Sequence, residues 1–157
     1  MGKWKKKLEE WSLALRGVRR LNGEVESFPP GSEANAHGVV AVGGDLKPER
    51  LLAAYRRGLF PYYSEHQPIL WRSPDPRFVI DLSRFRVPHN VRRAVRQGPF
   101  DIRFDTAFEE VVRGAASSYR GPQVKTWLNE ELIAAYVALH KLGYAHSSEA
   151  WDGDRLM

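Results

Sequence analysis

The sequence predicts an α+β fold, in which short strands and longer helices share one chain. Apolar runs or two-residue apolar alternations predict strands at residues 38–42, 100–104 and 144–151. Apolar side chains spaced three and four residues apart predict helices at residues 3–21, 48–58, 89–97 and 130–142, and a further helix after Asp105. The 157 residues suffice for one ordinary domain or two small ones, and the 43% hydrophobic content can build a core.

The charge balance favours polyanionic partners. The chain has 24 Lys and Arg against 19 Asp and Glu, a net charge of +5, and its pI is about 9.6. A field of this sign attracts nucleic acid or an anionic membrane surface, although a solvated basic surface explains the same modest charge. The absence of cysteine excludes disulfides, thiolate zinc sites and cysteine nucleophiles. No apolar run approaches the roughly 18 residues that cross a bilayer, so we expect a soluble protein.

Residues 3–21 predict a basic amphipathic helix. Its apolar stripe consists of Trp4, Leu8, Trp11, Leu15 and Val18. Such a helix could lie on a membrane or on RNA, but a single apolar stripe marks any surface helix, so packing against the protein body or a partner chain is favoured. Residues 22–35 lack periodicity and are rich in Gly, Glu, Ser and Pro, which predicts a linker with a boundary near residue 27.

Residues 42–77 carry the densest structural signals. Gly43 and Gly44 predict a turn with positive φ, and an ordinary turn is favoured because a double glycine alone is a weak signal for a phosphate-binding loop. Pro48 suits the first position of a helix, and Gly58 is placed to end it. A short amphipathic helix is therefore predicted between these two residues.

A loop rich in aromatic residues and proline follows that helix. Its segments are FPYY at 60–63, ILW at 69–71 and SPDPR at 73–77. Two prolines flank Asp75, and each proline fixes its own φ and biases the preceding residue towards extended conformations. The pattern predicts a stiff loop that holds aromatic groups and Arg77 in place.

A second basic segment lies on the helix predicted at 89–97. Arg92 and Arg96 are four residues apart, and Arg93 and Arg96 are three apart, so the three side chains can share a face. Like charges at this spacing repel one another, a cost that bound phosphates would remove. Phosphate binding and a merely solvated face are competing interpretations, and the residues alone favour neither.

Capping residues predict helix ends in the last third of the chain. Asp105 is predicted to cap one helix, and Asn129 is predicted to cap a second helix that Gly143 ends. His140 lies on the apolar face of the second helix and is predicted to be a hydrogen-bonded core residue. Its spacing from His146 fits no standard zinc site, so no structural metal is expected.

The sequence ends within a predicted hairpin. Asp152 and Gly153 predict the turn between a strand at 144–151 and a return strand that begins at Arg155. So short a return strand leaves backbone donors and acceptors unpaired. We therefore expect the chain to be truncated relative to the domain that it begins.

Six segments of the chain carry long or unusual strings: FPP at 28–30, VGGDLKPERLLAAYRRGLFP at 42–61, PILWRSPDPR at 68–77, FDTAFEEVV at 104–112, TWL at 126–128 and LHKLGYAHSSEAW at 139–151. They cover most of the chain after residue 28 and are too long and unusual for chance similarity. In order and spacing they resemble one family, the leucyl/phenylalanyl-tRNA-protein transferases, which append Leu or Phe to bacterial proteins with a basic N-terminal residue.

The resemblance implies two domains with the site between them. Residues 1–27 would be a basic extension, residues 28–82 the family's small N-terminal domain, and residues 83–157 the first part of a domain with the acetyltransferase-like (GNAT-like) fold. The groups of the family's reacting centre lie later in that second domain. No catalytic residue is therefore expected within this sequence, and the catalytic groups are expected beyond the position of Met157.

The resemblance also implies binding residues. Tyr62 and Trp127 map to the two aromatic residues that hold the terminal adenosine of the charged tRNA, where stacking of a base is worth about 1 to 3 kcal/mol. The family usually has Trp at the positions of Tyr62 and Arg72, so the stacking surface is expected to differ here. The family's basic helix at the tRNA acceptor stem is similar to the segment with the three arginines, which favours phosphate binding there. The wall or scaffold of the site would consist of Phe60, Trp71, Asp75 and Arg77.

The activity that the resemblance implies is transfer of Leu or Phe, or Met, from charged tRNA to the N-terminal Arg or Lys of acceptor proteins, which tags them for degradation. Because the amino acid arrives as an activated ester, no cofactor, ATP or metal is required. We expect a cytoplasmic monomer without membrane contact through residues 3–21. Two alternatives stay open, namely a non-catalytic tRNA-binding module that keeps the acceptor-stem and adenosine contacts, and a basic protein that acts at membranes through residues 3–21.

Overall fold

The computed structural model describes residues 15–22, 28–64, 67–118 and 126–157. The prediction of a mixed α and β fold is confirmed, because these residues form helices and two small sheets. None of the described helices has the length and the apolar content that a membrane crossing requires. In chain order the elements are β1 (Arg19–Leu21), a 3-10 turn (Gly31–Glu33), β2 (Val39–Gly43), α1 (Pro48–Arg56), β3 (Phe60–Pro61), β4 (Leu70–Arg72), α2 (His89–Gln97), β5 (Asp101–Phe104), α3 (Phe108–Ser117), α4 (Glu130–Lys141), β6 (Ser148–Asp152) and β7 (Arg155–Leu156).

The first sheet has the strand order β1-β2-β4-β3. Strand β2 lies inside this sheet, parallel to β1 and antiparallel to β4. The residues from Val39 to Val42 are all buried, as expected of a central strand with a continuous apolar run. Gly43 and Gly44 follow at φ of +85° and +79°, which confirms the predicted turn with positive φ.

The core of the first sheet also includes helices α1 and α4. Helix α1 begins at Pro48 as predicted, and Leu51 and Ala54 on this helix are completely buried. Helix α4 contributes Leu132 and Leu139 to the same cluster. Since α4 comes almost 60 residues after β4 in the chain, one apolar core joins the first sheet to the C-terminal half.

The second sheet is an antiparallel meander in the order β5-β6-β7. Helices α3 and α4 pack against each other beside it. His140 of α4 stacks on Phe108 of α3 with ring centroids 4.2 Å apart. The Nδ1 atom of His140 lies 2.8 Å from the carbonyl oxygen of Ala145, so the predicted hydrogen bond of this histidine is present.

The helix predicted at residues 3–21 is wrong at its C-terminal end. Residues 1–14 lie outside the described part of the chain, whereas Arg19–Leu21 form β1 and pair with residues 41–43. This pairing satisfies backbone groups that a helix would satisfy internally. Apolar periodicity does not detect a strand partner about 20 residues away, so the predicted helix extends too far towards the C-terminus.

Asp105 does not cap α3, contrary to the prediction. The residue before α3 is Ala107, and Asp105 has φ of +59° with its carboxylate accepting from the Ser147 N–H at 2.9 Å. The N–H groups of Thr106 and Ala107 donate instead to Glu149 of β6. A carboxylate on a distant strand thus replaces the expected local cap.

The hairpin turn is shifted by one residue from its prediction. Asp152 pairs with Arg155, so the loop between β6 and β7 consists of Gly153 and Asp154 rather than Asp152 and Gly153. Gly153 has φ of +57°, a value that suits glycine at the first position of this two-residue loop. The strand predicted at 144–151 begins later than expected, at Ser148.

Candidate functional site

An aromatic cluster forms where the loop after β3 meets the segment before α4. The rings of Tyr62 and Trp127 are in contact, with centroids 5.7 Å apart and planes inclined by 33°. Tyr136 of α4 meets Trp127 edge-on, with centroids 6.3 Å apart. Tyr62 is 42% exposed, so the cluster lies partly at the surface. The fold therefore brings together two aromatic residues that are 65 positions apart in the sequence.

Arg72 holds Tyr62 in place and adds positive charge beside it. The Tyr62 N–H donates to the carbonyl oxygen of Leu70 at 2.9 Å, and the Tyr62 carbonyl accepts from Arg72 Nε at 3.1 Å. A second Arg72 nitrogen donates to the His37 carbonyl at 2.9 Å. The guanidinium lies 5.4 Å from the centroid of the Tyr62 ring. Burial lowers the pKa of Arg72, yet an arginine keeps its charge in proteins.

Local hydrogen bonds fix the segment that carries Trp127. The Leu128 N–H donates to Thr126 Oγ1 at 3.1 Å. The Asn129 side chain accepts from the Leu132 N–H at 2.9 Å, which confirms Asn129 as the N-cap of α4. The start of α4 and the position of Trp127 are therefore set by the same short stretch.

Two phenol contacts tie the first sheet and α1 to α4. The hydroxyl oxygens of Tyr55 on α1 and Tyr136 on α4 lie 2.8 Å apart, and the Tyr63 hydroxyl donates to Glu131 at 3.0 Å. Burial raises the pKa of Tyr136 and of Tyr55, and it raises the pKa of Tyr63 to about 12. All three phenols are therefore neutral at physiological pH and able to donate hydrogen bonds.

The four residues expected to form the wall or scaffold fall into different environments. Trp71 is completely buried, and its Nε1 donates to the Gly43 carbonyl at 2.9 Å. The Arg77 guanidinium lies 5.7 Å from the Phe60 ring centroid and donates to the Gly58 carbonyl at 2.7 Å. Asp75 is exposed and precedes a cis peptide bond to proline. Trp71 thus packs in the core behind the site, whereas Phe60 and Arg77 form a separate contact.

Helix α2 carries the basic face predicted from the sequence. None of its residues is buried, so Arg92, Arg93 and Arg96 are accessible to solvent. The helix has no acidic residue in its first turn. Within the described residues, the salt bridges of arginine involve other positions, namely Arg50, Arg84, Arg103 and Arg113.

A buried carboxylate organises the junction of β6 and α3. Glu149 accepts hydrogen bonds from Thr106 Oγ1, from the Ala107 N–H at 2.9 Å, from Ser147 Oγ at 2.7 Å and from Trp151 Nε1 at 3.3 Å. Burial alone would raise the pKa of Glu149, but the hydrogen bonds outweigh it and lower the pKa to about 2. With its oxygens engaged in this way, Glu149 is a structural anchor rather than a free base.

The described part of the chain has no group of three His, Cys, Asp or Glu residues placed to hold a metal ion.

Sequence reasoning missed three of these residues. Tyr55 and Tyr136 fit ordinary apolar helix faces in the sequence, and Glu149 lies in a predicted strand without a distinguishing pattern. The available signal was the polar atom of each residue, because a tyrosine hydroxyl or a carboxylate on a buried face needs a partner. That signal does not name the partner: Tyr55 and Tyr136 are 81 residues apart, and Glu149 binds Thr106 and Ala107, which lie 43 and 42 residues away.

Comparison with known proteins identifies the family to which the chain belongs. The model of the leucyl/phenylalanyl-tRNA protein transferase matches residues 79–157, and the model of its N-terminal domain matches residues 44–75. The two matches leave only a short gap between them.

Curated relatives that carry the name leucyl/phenylalanyl-tRNA–protein transferase are about half identical to the chain. The relative from Myxococcus xanthus is 53% identical over 126 residues, which are 80% of this chain and 54% of the relative. The relative from Anaeromyxobacter sp. strain Fw109-5 is 51% identical over 139 residues, which are 88% of this chain and 59% of the relative. The relative from Nitratidesulfovibrio vulgaris strain DP4 is 52% identical over 130 residues, which are 83% of this chain and 56% of the relative. The chain spans little more than half the length of these relatives, and it belongs to the leucyl/phenylalanyl-tRNA-protein transferase family.

Proposed function

We propose that this chain provides the tRNA-end recognition part of an aminoacyl-tRNA-dependent protein aminoacyltransferase. The enzyme would move Leu, Phe or Met from charged tRNA to the N-terminal Arg or Lys of acceptor proteins and so tag them for degradation. The observation that carries the proposal is the contact between Tyr62 and Trp127, in which Tyr62 stays 42% exposed. Membership of the family supplies the reaction class.

The geometry of the aromatic pair constrains how an adenine would bind. A base held between two rings needs them roughly 7 Å apart, twice the stacking distance of bases. The centroids of Tyr62 and Trp127 are 5.7 Å apart, so the base would either insert by moving the rings apart or stack on the exposed part of one ring. Both modes place the adenosine at the loop after β3.

Positive charge beside the aromatic pair suits a nucleotide. The guanidinium of Arg72 lies 5.4 Å from the Tyr62 ring, close enough to attract a phosphate of the tRNA end. The arginines of α2 are exposed and would contact phosphates of the acceptor stem. The net charge of +5 strengthens the long-range attraction of tRNA.

The proposed reaction needs positioning more than activation. The uncharged α-amino group of the acceptor protein, with a pKa of about 8, attacks the ester carbonyl carbon of the aminoacyl-tRNA. The new C–N bond forms, the bond to the ribose oxygen breaks, and the ribose oxygen takes up the proton that the amine loses. Hydrogen-bond donors for the developing oxyanion would come from the part of the domain that the curated relatives contain beyond this match.

The same proposal covers domain layout and location. Residues 28–82 would form the small N-terminal domain and residues 83–157 the start of the acetyltransferase-like domain, with Tyr62 and Trp127 on opposite sides of the boundary. The protein would work as a monomer in the cytoplasm, where aminoacyl-tRNA and newly exposed protein N-termini are found. It would need no metal or cofactor, because the ester bond is already activated.

Substitution of the aromatic pair tests the proposal. Tyr62→Ala and Trp127→Ala should each weaken binding of a non-hydrolysable aminoacyl-adenosine analogue by roughly 5- to 150-fold, the range that one stacked base accounts for. Tyr62→Phe should keep most of the affinity, because the ring remains. Tyr144→Ala, which removes an exposed tyrosine outside the cluster, is the matched control. Calorimetric titration that finds equal affinities for all four variants would refute the aromatic site.

A non-catalytic tRNA-binding module is the second candidate. It is favoured by the exposed arginines of α2 and by the contact between Tyr62 and Trp127, because these groups can bind a tRNA end without any transfer step. Labelled Leu-tRNA and a peptide that starts with Arg distinguish the two candidates. Label in the peptide supports the transferase, whereas tight binding of tRNA without any label transfer supports the binding module.

A further inference from the structure

A small cavity lies on the first sheet beside Arg72. Its volume is about 200 Å³. Leu70 and Arg72 are two residues apart on β4, so their side chains share a face of the strand, and Val39 of β2 pairs with Arg72. We name this space the Arg72 cavity, and besides Arg72 itself its lining consists of Leu15, His37, Val39, Gln67, Pro68 and Leu70.

The Arg72 cavity is next to the aromatic cluster of Tyr62 and Trp127. The Tyr62 N–H donates to the carbonyl oxygen of Leu70, a residue that lines the cavity. The Arg72 guanidinium lies 5.4 Å from the Tyr62 ring centroid. One of its nitrogens donates at 2.9 Å to the carbonyl of His37, which also lines the cavity. Arg72 thus borders both the aromatic cluster and the cavity.

Arg72 keeps hydrogen-bond donors for an anion. A guanidinium group has five N–H donors in a planar arrangement. One donor binds the Tyr62 carbonyl, and another binds the His37 carbonyl. The group also keeps its charge and suits the oxygens of a phosphate. A phosphate beside Tyr62 would therefore meet a guanidinium that two carbonyl groups already hold in position.

The lining of the Arg72 cavity combines apolar side chains with a few polar groups. Val39 and Leu70 are both buried and provide apolar walls. The side-chain oxygen of Gln67 accepts from the Ser64 N–H at 2.7 Å, so the amide nitrogen is the group of Gln67 that can donate to a ligand. Sites for drug-sized molecules have volumes of roughly 300 to 1,000 Å³, so a cavity of about 200 Å³ suits a single small ring.

The end of a tRNA presents matching groups in the same order. Every tRNA ends in the sequence CCA, so a cytidine precedes the terminal adenosine and one phosphate joins the two. An adenine at Tyr62 would bring the joining phosphate to Arg72 and the cytosine to the cavity. Cytosine is a single ring with apolar faces, and the oxygen and ring nitrogen at its edge accept hydrogen bonds. The amide nitrogen of Gln67 can supply a donor for that edge.

We propose that the Arg72 cavity binds the cytosine base that precedes the terminal adenosine of the tRNA, with Arg72 bound to the phosphate between the two nucleosides. This inference rests on the proposed function, because it needs the adenosine at Tyr62 and Trp127. The cavity sets the direction in which the tRNA strand leaves the aromatic cluster. Since all tRNAs share the CCA end, the cavity adds affinity without selecting one tRNA over another.

Three synthetic probes test the cavity by calorimetric titration of the full chain. The adenosine probe is a non-hydrolysable leucyl-adenosine analogue, the cytidylyl probe adds a cytidine and its joining phosphate, and the abasic probe lacks only the cytosine base. The cytidylyl probe should bind roughly tenfold or more tightly than the abasic probe, because the base buries apolar area and gains a hydrogen bond. The abasic probe should in turn bind more tightly than the adenosine probe, through the phosphate and Arg72.

Substitutions in the lining locate the base. Gln67→Ala should weaken binding of the cytidylyl probe by roughly 2- to 12-fold, the range that one hydrogen bond accounts for. Its affinity for the abasic and adenosine probes should stay unchanged, since neither meets the amide. Gln97→Ala removes the same side chain from an exposed position on α2 and is the matched control. Leu15→Phe, which reduces the volume of the cavity, should likewise weaken binding of the cytidylyl probe alone.

The contrary results have distinct meanings. Equal affinities for the cytidylyl and abasic probes, with the adenosine probe still bound, would overturn the base site and leave the proposed function standing. An equal loss of affinity for all three probes in Gln67→Ala would show that this residue only supports the Tyr62 loop, which also overturns the base site. A preference for leucyl-adenosine over alanyl-adenosine that Leu15→Phe abolishes would assign the cavity to the aminoacyl side chain instead. No binding of the adenosine probe would overturn the proposed function and the base site together.

Discussion

At the scale of single residues, Glu149 has the most unusual environment. It is 2% exposed, and its carboxylate accepts hydrogen bonds from Thr106 and Ala107, just before α3, and from Ser147 and Trp151, two residues away on either side. The N-terminus of a helix carries partial positive charge, which further favours the ionised form. Glu149 therefore links the second sheet to α3 as an anion, and that link should weaken when the carboxylate is protonated.

Glu149→Gln should lower the melting temperature by several degrees at pH 7 and by much less at pH 3. The pKa of Glu149 in the folded state, about 2, lies below its ordinary value of 4.5, so the stabilisation is present above pH 4.5 and is lost as pH falls towards 2. Thermal melts of both proteins at the two pH values measure this difference. Glu110→Gln, an exposed change in the first turn of the same helix, is the control. An equal shift at both pH values would contradict the linkage.

Tyr62 and Trp127 illustrate how far single residues could be anticipated. The family resemblance implied both residues, and the structure places their rings in contact. The tyrosine pair of Tyr55 and Tyr136 was not anticipated, because each residue fits an ordinary apolar helix face in the sequence. Only the packing of α1 against α4 brings the two hydroxyl groups within 2.8 Å.

At the scale of elements, α2 is the clearest example of a helix predicted correctly from local signals. Its observed bounds, His89–Gln97, are those that the sequence predicts, and Gly98 follows directly. Its arginines repel one another, and nothing within the described chain buries any residue of the helix. Binding of tRNA phosphates would remove that repulsion.

Arg92→Ala should reduce the salt dependence of tRNA binding, lowering the slope of log affinity against log salt by roughly one unit. Each phosphate contact releases counterions from the nucleic acid, so the loss of one contact lowers the slope. Filter binding at several salt concentrations measures it. Arg113→Ala is a suitable control, because Arg113 is already paired with Glu109 at 2.9 Å and Glu130 at 3.1 Å. Equal slopes for wild type and Arg92→Ala would argue for a merely solvated face.

Strand β1 and the cap of α3 mark the limit of prediction at this scale. The pattern of residues 3–21 favoured a helix, but Arg19–Leu21 pair with β2. Asp105 is a residue type that N-caps favour. Its φ is +59°, however, and its carboxylate contacts His146 and Ser147 before β6 instead of capping α3. Both errors arise because a partner distant in sequence outweighed a local preference.

At the scale of the whole molecule, a shared core and two phenol contacts join the first sheet and α1 to α4. Tyr63 is 4% exposed, and its hydroxyl donates to Glu131 across this junction. Because the core is continuous, the first sheet and α4 should unfold in a single transition. The aromatic cluster at the same junction would be lost together with them.

Tyr63→Phe should lower the free energy of unfolding by about 1 to 3 kcal/mol, the usual worth of a hydrogen bond to a charged group. Urea denaturation followed by tryptophan fluorescence measures the change. Tyr144→Phe removes a hydroxyl from a tyrosine that is 59% exposed and should leave stability unaltered. If the two substitutions had equal effects, the contact between Tyr63 and Glu131 would not stabilise the junction.

The sequence by itself determined the family, most helix and strand positions and the aromatic pair. These follow from contiguous strings, apolar periodicity and Pro or Gly at helix ends, all of which act within a few residues. Tertiary structure alone decided that Glu149 anchors α3 and that Tyr55 meets Tyr136. The physical reason is that burial and hydrogen-bond partners depend on residues distant in the chain, and a pattern of neighbours does not specify them.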